Sequence, residues 1–369
     1  MFPALSLIPG LLRSYSGARG QTQSRSNMYV LQKLNRLVIP RTELTYPSHV
    51  LKMHQNAAGA SVDHVMPDFE DACPYEFKGE PSRKTMVEAL TTIDFGSKVI
   101  AIRPNNIQSK YFLGDLEAIM LGAPDRFHGI ILPKTEKAED IVYLAKQLDA
   151  LEPKGGWTTT VQIEALIETP LGVINAYDIA KASDRMAGLI FGIADFAASM
   201  GVRDNVNNQN QNFHYAKQAT VVAAKAAGLH AVDNAWLRLV RKDTSEEEAK
   251  EIYAGLREKN EGSRDLGMDG TWVIHPQQAE IANEVFTPSD DEIEQAKGAI
   301  EYYHEVGGGS IYNPNTAEFD DEATIKAKLM DLAKAVQAGK VDADWLSEQA
   351  AKSKEVTGYD ILEVMGRVG

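Results

Sequence analysis

The chain has 369 residues, a net charge of −14, 44% hydrophobic side chains and one cysteine, Cys73. An acidic balance argues against a nucleic-acid partner, which needs basic surface. No stretch approaches the ~20 apolar residues that span a bilayer, so no membrane partner is expected. A lone cysteine excludes an internal disulfide and any paired-cysteine zinc knuckle, and fits a reducing compartment.

Residues 1–42 contain no acid and six bases, Arg13, Arg19, Arg25, Lys33, Arg36 and Arg41, among many serines. That composition reads as a mitochondrial transit peptide, or as a disordered leader upstream of a start at Met28. Residues 1–35 are therefore set apart from the fold. The expected location is cytoplasmic, with the mitochondrial matrix as the alternative if the leader is a targeting signal.

Eight short apolar runs follow, at 36–44, 62–70, 98–105, 128–134, 160–169, 188–196, 230–237 and 271–276. Their near-continuous hydrophobicity suits parallel strands covered on both faces. Helical patterns separate them, among them YFLGDLEAIMLG, AEDIVYLAKQLDAL and SEEEAKEIYAGLREKNEG, the last opening on a Ser245–Glu248 capping box. This alternation predicts an α/β fold, a (β/α)8 TIM barrel, over 36–305. An asparagine-rich insertion at 200–215 falls on the side where such barrels carry their active-site loops. The glycine-rich segment 306–319 is expected to be a linker, and 320–369 a small C-terminal helical lid and tail.

The acids collect just past the strands. Glu168 ends the fifth and Asp195 the sixth, so both face one mouth, where barrel chemistry sits. Two carboxylates on adjacent strand ends suit Mg2+, with Mn2+ as a substitute, water and substrate completing the oxygen shell. Either residue alone could simply cap its following helix. The eight histidines show no zinc-ligand spacing. Asp68, Glu70 and Asp71 crowd the end of strand two, and orienting metal-bound waters is their modest reading. Arg103 ends strand three and suits two parallel bonds to a 2-oxo-acid carboxylate, or an ion pair with an acid of strand two. Lys134, ending strand four, is a weaker candidate of the same kind. His275 is as readily structural as catalytic. Neither GxxxxGK[ST] nor GxGxxG occurs, so a nucleotide cofactor is unsupported, and no GxSxG elbow is present.

Taken in order, MPDFEDACP, AIRPN, LPKTE, ALIETPLGVINA, FGIADFAASMG and GTWVIHPQQAEIANEVFTPS resemble the malyl-CoA lyase/citrate lyase beta-subunit family of HpcH/HpaI aldolases. The likeness runs from about Arg41 to Lys328, and NFHYAKQATVVAAKAAGL is similar to the long helix of malyl-CoA and β-methylmalyl-CoA lyases. The resemblance implies a (β/α)8 barrel with bound Mg2+ that reversibly cleaves a 3-hydroxyacyl-CoA to an acyl-CoA and a 2-oxo acid, glyoxylate or pyruvate. By motif match Glu168 and Asp195 would hold the metal, Arg103 the oxo-acid carboxylate, and Glu70 and Asp71 would line the metal site. It also implies a homo-oligomer, trimer or hexamer, whose C-terminal lid carries an aspartate base into a neighbour's site. The match here is Asp320, with Asp321 as the fallback, although the family's glycine turn is replaced by Thr316-Ala317-Glu318-Phe319. The family's basic PGxRP turn reads YPSHVLKM here, which leaves CoA contacts to Arg41, His49 or Lys52. Alternatives are a citramalyl-CoA lyase, a malyl-CoA thioesterase, or a non-catalytic subunit of a lyase complex.

Overall fold

In the computed structural model residues 39–202, 213–314 and 316–358 are described. The expected leader and the middle of the asparagine-rich insertion lie outside them. Eight parallel strands close into a barrel in sequence order: β1 (Thr42–Pro47), β2 (His64–Asp68), β3 (Val99–Ile102), β4 (Gly129–Leu132), β5 (Gln162–Ile167), β6 (Met186–Phe191), β7 (His230–Asp233) and β8 (Gly270–Val273). β1 pairs with β8 to complete the ring. The strands are short and almost wholly buried, because helices cover their outer faces while side chains fill the bore.

Among the described residues the first strand starts at Thr42, so only the last three residues of the 36–44 run belong to it. Arg41 explains the start. Its N–H and its guanidinium both bond the Asp63 carboxylate, and it also donates to Thr287 Oγ1, so it is anchored beneath the ladder. β8 ends at Val273, before the expected 276, because Ile274 N–H turns to the Gln278 side chain.

Period-two alternation sorts the bore into layers. Met66, Ala101, Ile131, Leu166, Ile190 and Val232, with Trp272 beside them, form an apolar middle layer. Two residues further along the strands lie Asp68, Arg103, Glu168 and Gly192 at the mouth. Two residues back lie His64, Glu164, Gly188 and His230 at the floor.

Past the barrel, the Asp290–Glu305 helix buries Ile293, Ala296, Ile300 and Tyr303 with Ile325, Leu329, Leu332 and Leu346 of the two C-terminal helices, Glu322–Gln337 and Ala343–Thr357. This second core starts upstream of the 306–319 segment, which itself holds the antiparallel hairpin of β9 (Ile311–Asn313) and β10 (Glu318–Asp320). The unit docks on the floor side of the barrel. Gln337 donates to Ile39 O just before β1, and Lys334 lies 3.7 Å from Asp269 just before β8. Among the described residues no helix is long and apolar enough to cross a membrane.

Candidate active site

The strand ends bring five carboxyl groups, Asp68, Glu70, Asp71, Glu168 and Asp195, around two cationic side chains, Arg103 and Lys134. Asp68 closes β2 and is fully buried. It accepts Arg103 Nε and Nη2 at 2.8 and 2.5 Å, and the backbone N–H groups of Glu70 and Ala72 at 2.7 and 2.8 Å. Arg103 is thereby committed to an acid of strand two through one edge of its fork. Its remaining Nη1 faces Glu70 at 3.7 Å and Asp71 at 3.9 Å. Burial works against the Arg103 charge, but Asp68 outweighs it and holds the guanidinium protonated more firmly than usual. The Trp272 ring 5.1 Å beneath adds a cation–π contact.

Lys134 follows β4 with a left-handed backbone, φ 52°, which is uncommon for a residue carrying a Cβ. That turn aims its N–H at Glu168 Oε1, 2.8 Å away, while its Nζ reaches Glu70 Oε1 at 2.7 Å. The same Nζ stands 3.7 Å from Asp71 and 3.9 Å from Asp195. Burial lowers the Lys134 pKa, yet the Glu70 bond and the surrounding carboxylates raise it overall.

Glu168 directly follows Ile167, the last residue of β5, and Thr169 then caps the next helix by accepting Gly172 N–H at 3.1 Å. Glu168 is 2% exposed. Burial pushes its pKa up to about 8; Arg103 pulls against that shift, while Asp195 and Glu70 reinforce it. Gly192 makes room for it, since a Cβ there would lie 2.7 Å from Glu168 Oε2. Burial also raises Glu70, against the pull of Arg103, and its Oε2 has no hydrogen-bond donor. Asp195 occupies the first turn of the Ile193–Ser199 helix, half-open to the mouth. A buried carboxylate held partly protonated, an orphaned carboxylate oxygen and a surplus of acid fit a divalent cation with oxygen ligands.

The structure thus brings together Glu70, Asp71, Arg103, Lys134, Glu168 and Asp195. Of the three residues named for CoA contacts, His49 and Lys52 follow β1 on the mouth side; His49 stacks on Phe77 with ring centroids 4.5 Å apart. Arg41 does not join them, because it sits at the opposite end of β1, tied to Asp63. His275 is an exposed helix cap whose Nδ1 accepts Gln277 N–H. Asp320 is fully buried in its own unit, where it accepts bonds from Asn313 and Thr324 and lies 3.2 Å from Lys328. Asp321 caps the Glu322–Gln337 helix. Neither bonds a mouth residue. Two supports escaped the sequence reading: Lys78, which bonds Glu70 O and Asn105, and Asn106, which donates to Glu70 Oε1. Both lie in loops, where no periodic signal marks them.

A barrel with this acid-lined mouth has close relatives. Residues 41–276 match the model of the HpcH/HpaI aldolase/citrate lyase family. An L-malyl-CoA/beta-methylmalyl-CoA lyase of Cereibacter sphaeroides is 30% identical over 313 residues, 81% of this chain and 92% of that one. A citrate lyase subunit beta of Leuconostoc mesenteroides is 30% identical over 306 residues, 82% and 96% of the two chains. A crystal structure of Mycobacterium tuberculosis CitE with magnesium, acetoacetate and coenzyme A superposes with a TM-score of 0.61. It is 22% identical and covers 80% of this chain and 97% of its own. The chain belongs to the HpcH/HpaI aldolase/citrate lyase family, and is a carbon–carbon lyase.

Proposed function

We propose that the protein reversibly cleaves a 3-hydroxyacyl-CoA, malyl-CoA or β-methylmalyl-CoA, to acetyl-CoA or propionyl-CoA and glyoxylate. The observation that carries this reading is the mouth itself: Glu168, buried with a raised pKa, beside a guanidinium whose Nη1 meets only the more distant Glu70 and Asp71. The similarity to malyl-CoA/β-methylmalyl-CoA lyases over most of both chains supports the substrate class.

Glu168 and Asp195 would hold Mg2+, which when bound supplies Lewis acidity to the oxo-acid carbonyl. Arg103 is positioned by Asp68 and Trp272, so its Nη1, facing Glu70 and Asp71 at 3.7 and 3.9 Å, would be presented without rotamer loss to the oxo-acid carboxylate. Lys134 orients two acids at once, Glu168 through its N–H and Glu70 through its Nζ. Glu70 and Asp71 would orient waters on the metal. His49 and Lys52, on the mouth side of β1, are the CoA contacts in this reading.

Asp320 is the proposed base for the acyl-CoA α-carbon, offered to a neighbouring subunit's mouth in a homo-oligomer. Its burial against Asn313, Thr324 and Lys328 means that the β9–β10 hairpin must rearrange on assembly to expose it. Mixing Glu168→Ala with Asp320→Ala subunits tests this, because hybrid oligomers should regain activity that neither parent has. Verified mixing without recovery removes the shared base.

Substrate identity is tested by mass spectrometry of products from purified protein, Mg2+, acetyl-CoA or propionyl-CoA, and glyoxylate or pyruvate. Malyl-CoA or methylmalyl-CoA is the expected product. Citramalyl-CoA would move the electrophile to pyruvate, a difference of one methyl group worth only ~1–3 kcal/mol. Free malate would indicate thioester hydrolysis, and no product from folded, metal-loaded protein would overturn the proposal.

A further inference from the structure

The floor of the barrel carries a second set of ionisable groups that the reaction does not use. Strand register assembles it. Glu43 of β1 pairs with His64 of β2, and Gly188 of β6 lies in register with both Glu164 of β5 and His230 of β7. All four ionisable residues are at most 3% exposed. His230 Nε2 meets Glu164 Oε1 at 2.5 Å, and His64 Nδ1 lies 3.8 Å from Glu43 Oε1. Gly188 leaves the space that His230 fills, since a Cβ there would fall 2.1 Å from Nε2.

Charge is unbalanced at this floor. Apart from each other's carboxyl group, no donor reaches either oxygen of Glu43, or Oε2 of Glu164, among the described residues. Among the described residues neither carboxylate has a lysine or arginine partner, in contrast to the mouth. His128, next to His64, turns its Nδ1 to the Ile100 N–H, which it accepts. Two carboxylates closed off from water need positive charge or protons. Glu43, His64 and Glu164 each offer one ligand atom, and these atoms lie within 4.8 Å of one another.

We propose that the barrel floor is a buried metal site in which Glu43, His64 and Glu164, joined by His230, hold one divalent transition-metal ion. Two carboxylates, two neutral imidazoles and a dication form an electrically neutral set. Mixed imidazole and carboxylate donors suit Zn2+ and its neighbours better than Mg2+, which prefers oxygen alone. The apolar layer of Met66, Ala101, Ile131, Leu166, Ile190 and Val232 separates this site from the mouth. Its role is therefore to hold β1, β2, β5 and β7 together at their N-terminal ends, with the ion taken up as the barrel closes.

The full chain carrying Glu168→Ala and Asp195→Ala, refolded with Zn2+ alone and gel-filtered, tests the site by elemental analysis. About one zinc per chain is expected to remain, because the floor ligands are intact. Adding Glu164→Gln and His64→Gln should reduce it to background. Should those variants fail to fold, the floor-intact protein loaded with Co2+ still decides, since X-ray absorption should show imidazole scattering in a four- or five-coordinate shell. A folded Glu168→Ala/Asp195→Ala chain without zinc overturns the proposal and leaves Glu43 and Glu164 sharing a proton. Zinc that survives Glu164→Gln overturns it too, as a surface site. Because the test chain lacks both mouth acids, its result stands apart from whether the mouth binds Mg2+.

Discussion

The mouth and the floor of this barrel share β2 and β5, where His64 and Asp68, and Glu164 and Glu168, stand four residues apart, and the two rings solve the same problem differently. Each crowds carboxylates into a narrow ring. The mouth opposes them with a guanidinium and an ammonium that stay charged, Arg103 tied to Asp68 and Lys134 to Glu70. The floor opposes them with imidazoles, His64 and His230, whose charge is conditional. The mouth is also partly open, with Asp71 and Asp195 reaching solvent, while the floor is sealed. Fixed cations beside accessible acids suit a site that must admit an anionic substrate. Neutralisable groups in a sealed ring suit a permanent occupant, whether a proton or an ion.

The sharpest way to separate the two rings is to delete one acid from each. Glu168→Ala should lower turnover by roughly a thousandfold or more, the several kcal/mol that a Lewis-acid site contributes. The barrel should stay folded, since a buried carboxylate with a raised pKa is removed. Steady-state kinetics with thermal melts reads both, and an active variant would remove Glu168 from the metal site. Arg103→Met should cost stability instead, about 3–5 kcal/mol, by leaving Asp68 buried without its ion-pair partner. Adding Asp68→Asn should restore most of that stability without restoring activity. If the double variant melts like the single one, the Asp68–Arg103 pair is not what anchors the mouth.

Much of the mouth was legible because its residues sit at the ends of apolar runs, where a (β/α)8 barrel must turn. Glu168 and Asp195 follow from that rule alone. Arg103 was legible as a donor fork, but which partner takes it depends on Asp68 being buried opposite, a fact of register rather than spacing. Arg41 misled because an apolar run, Leu37 to Pro40, precedes it and hides where the ladder starts. The floor was invisible. Glu43, His64, Glu164 and His230 are 21, 100 and 66 residues apart in sequence, and only the pairing of β1 with β2 and of β5, β6 and β7 converges them. Asp320 was singled out by the family resemblance alone, within what reads as linker and lid; neither the β9–β10 hairpin nor its burial by Asn313 and Lys328 was legible.

Two glycines on β6 give a finer comparison, since Gly188 faces the floor and Gly192 follows the strand at the mouth. Gly188→Ala would press a Cβ into the His230 ring, and overpacking there should cost about 1–3 kcal/mol with little change in kinetics per folded molecule. Gly192→Ala would press on Glu168 instead. Its expected signature is weaker Mg2+ dependence and lower turnover, with a smaller loss in denaturant midpoint. If the two variants lose stability and activity in the same proportion, mouth and floor are not independent layers.

The smallest effect is a pH slope that only the mouth should lose when Mg2+ is added. Glu168 is raised from an ordinary carboxylate value to about 8, so the folded chain keeps a proton that the unfolded chain releases. Its contribution to stability is full below pH ~4.5 and lost as pH rises through 8. Buried His54 and His128, both lowered to about 4, tilt stability the other way, but that tilt is complete by pH ~6.5. Between pH 6.5 and 8 the metal-free chain should therefore lose stability with rising pH, by at most about 2 kcal/mol. Mg2+ should flatten this slope, because it binds the ionised form, and Glu168→Gln should flatten it without Mg2+. Glu43 at the floor is raised as well, by burial and by Glu164, so it adds a slope of the same sign. A slope that persists in Glu168→Gln and vanishes in Glu43→Gln would assign the pH dependence to the floor, and would show that the sealed ring, not the open one, holds the more easily released proton.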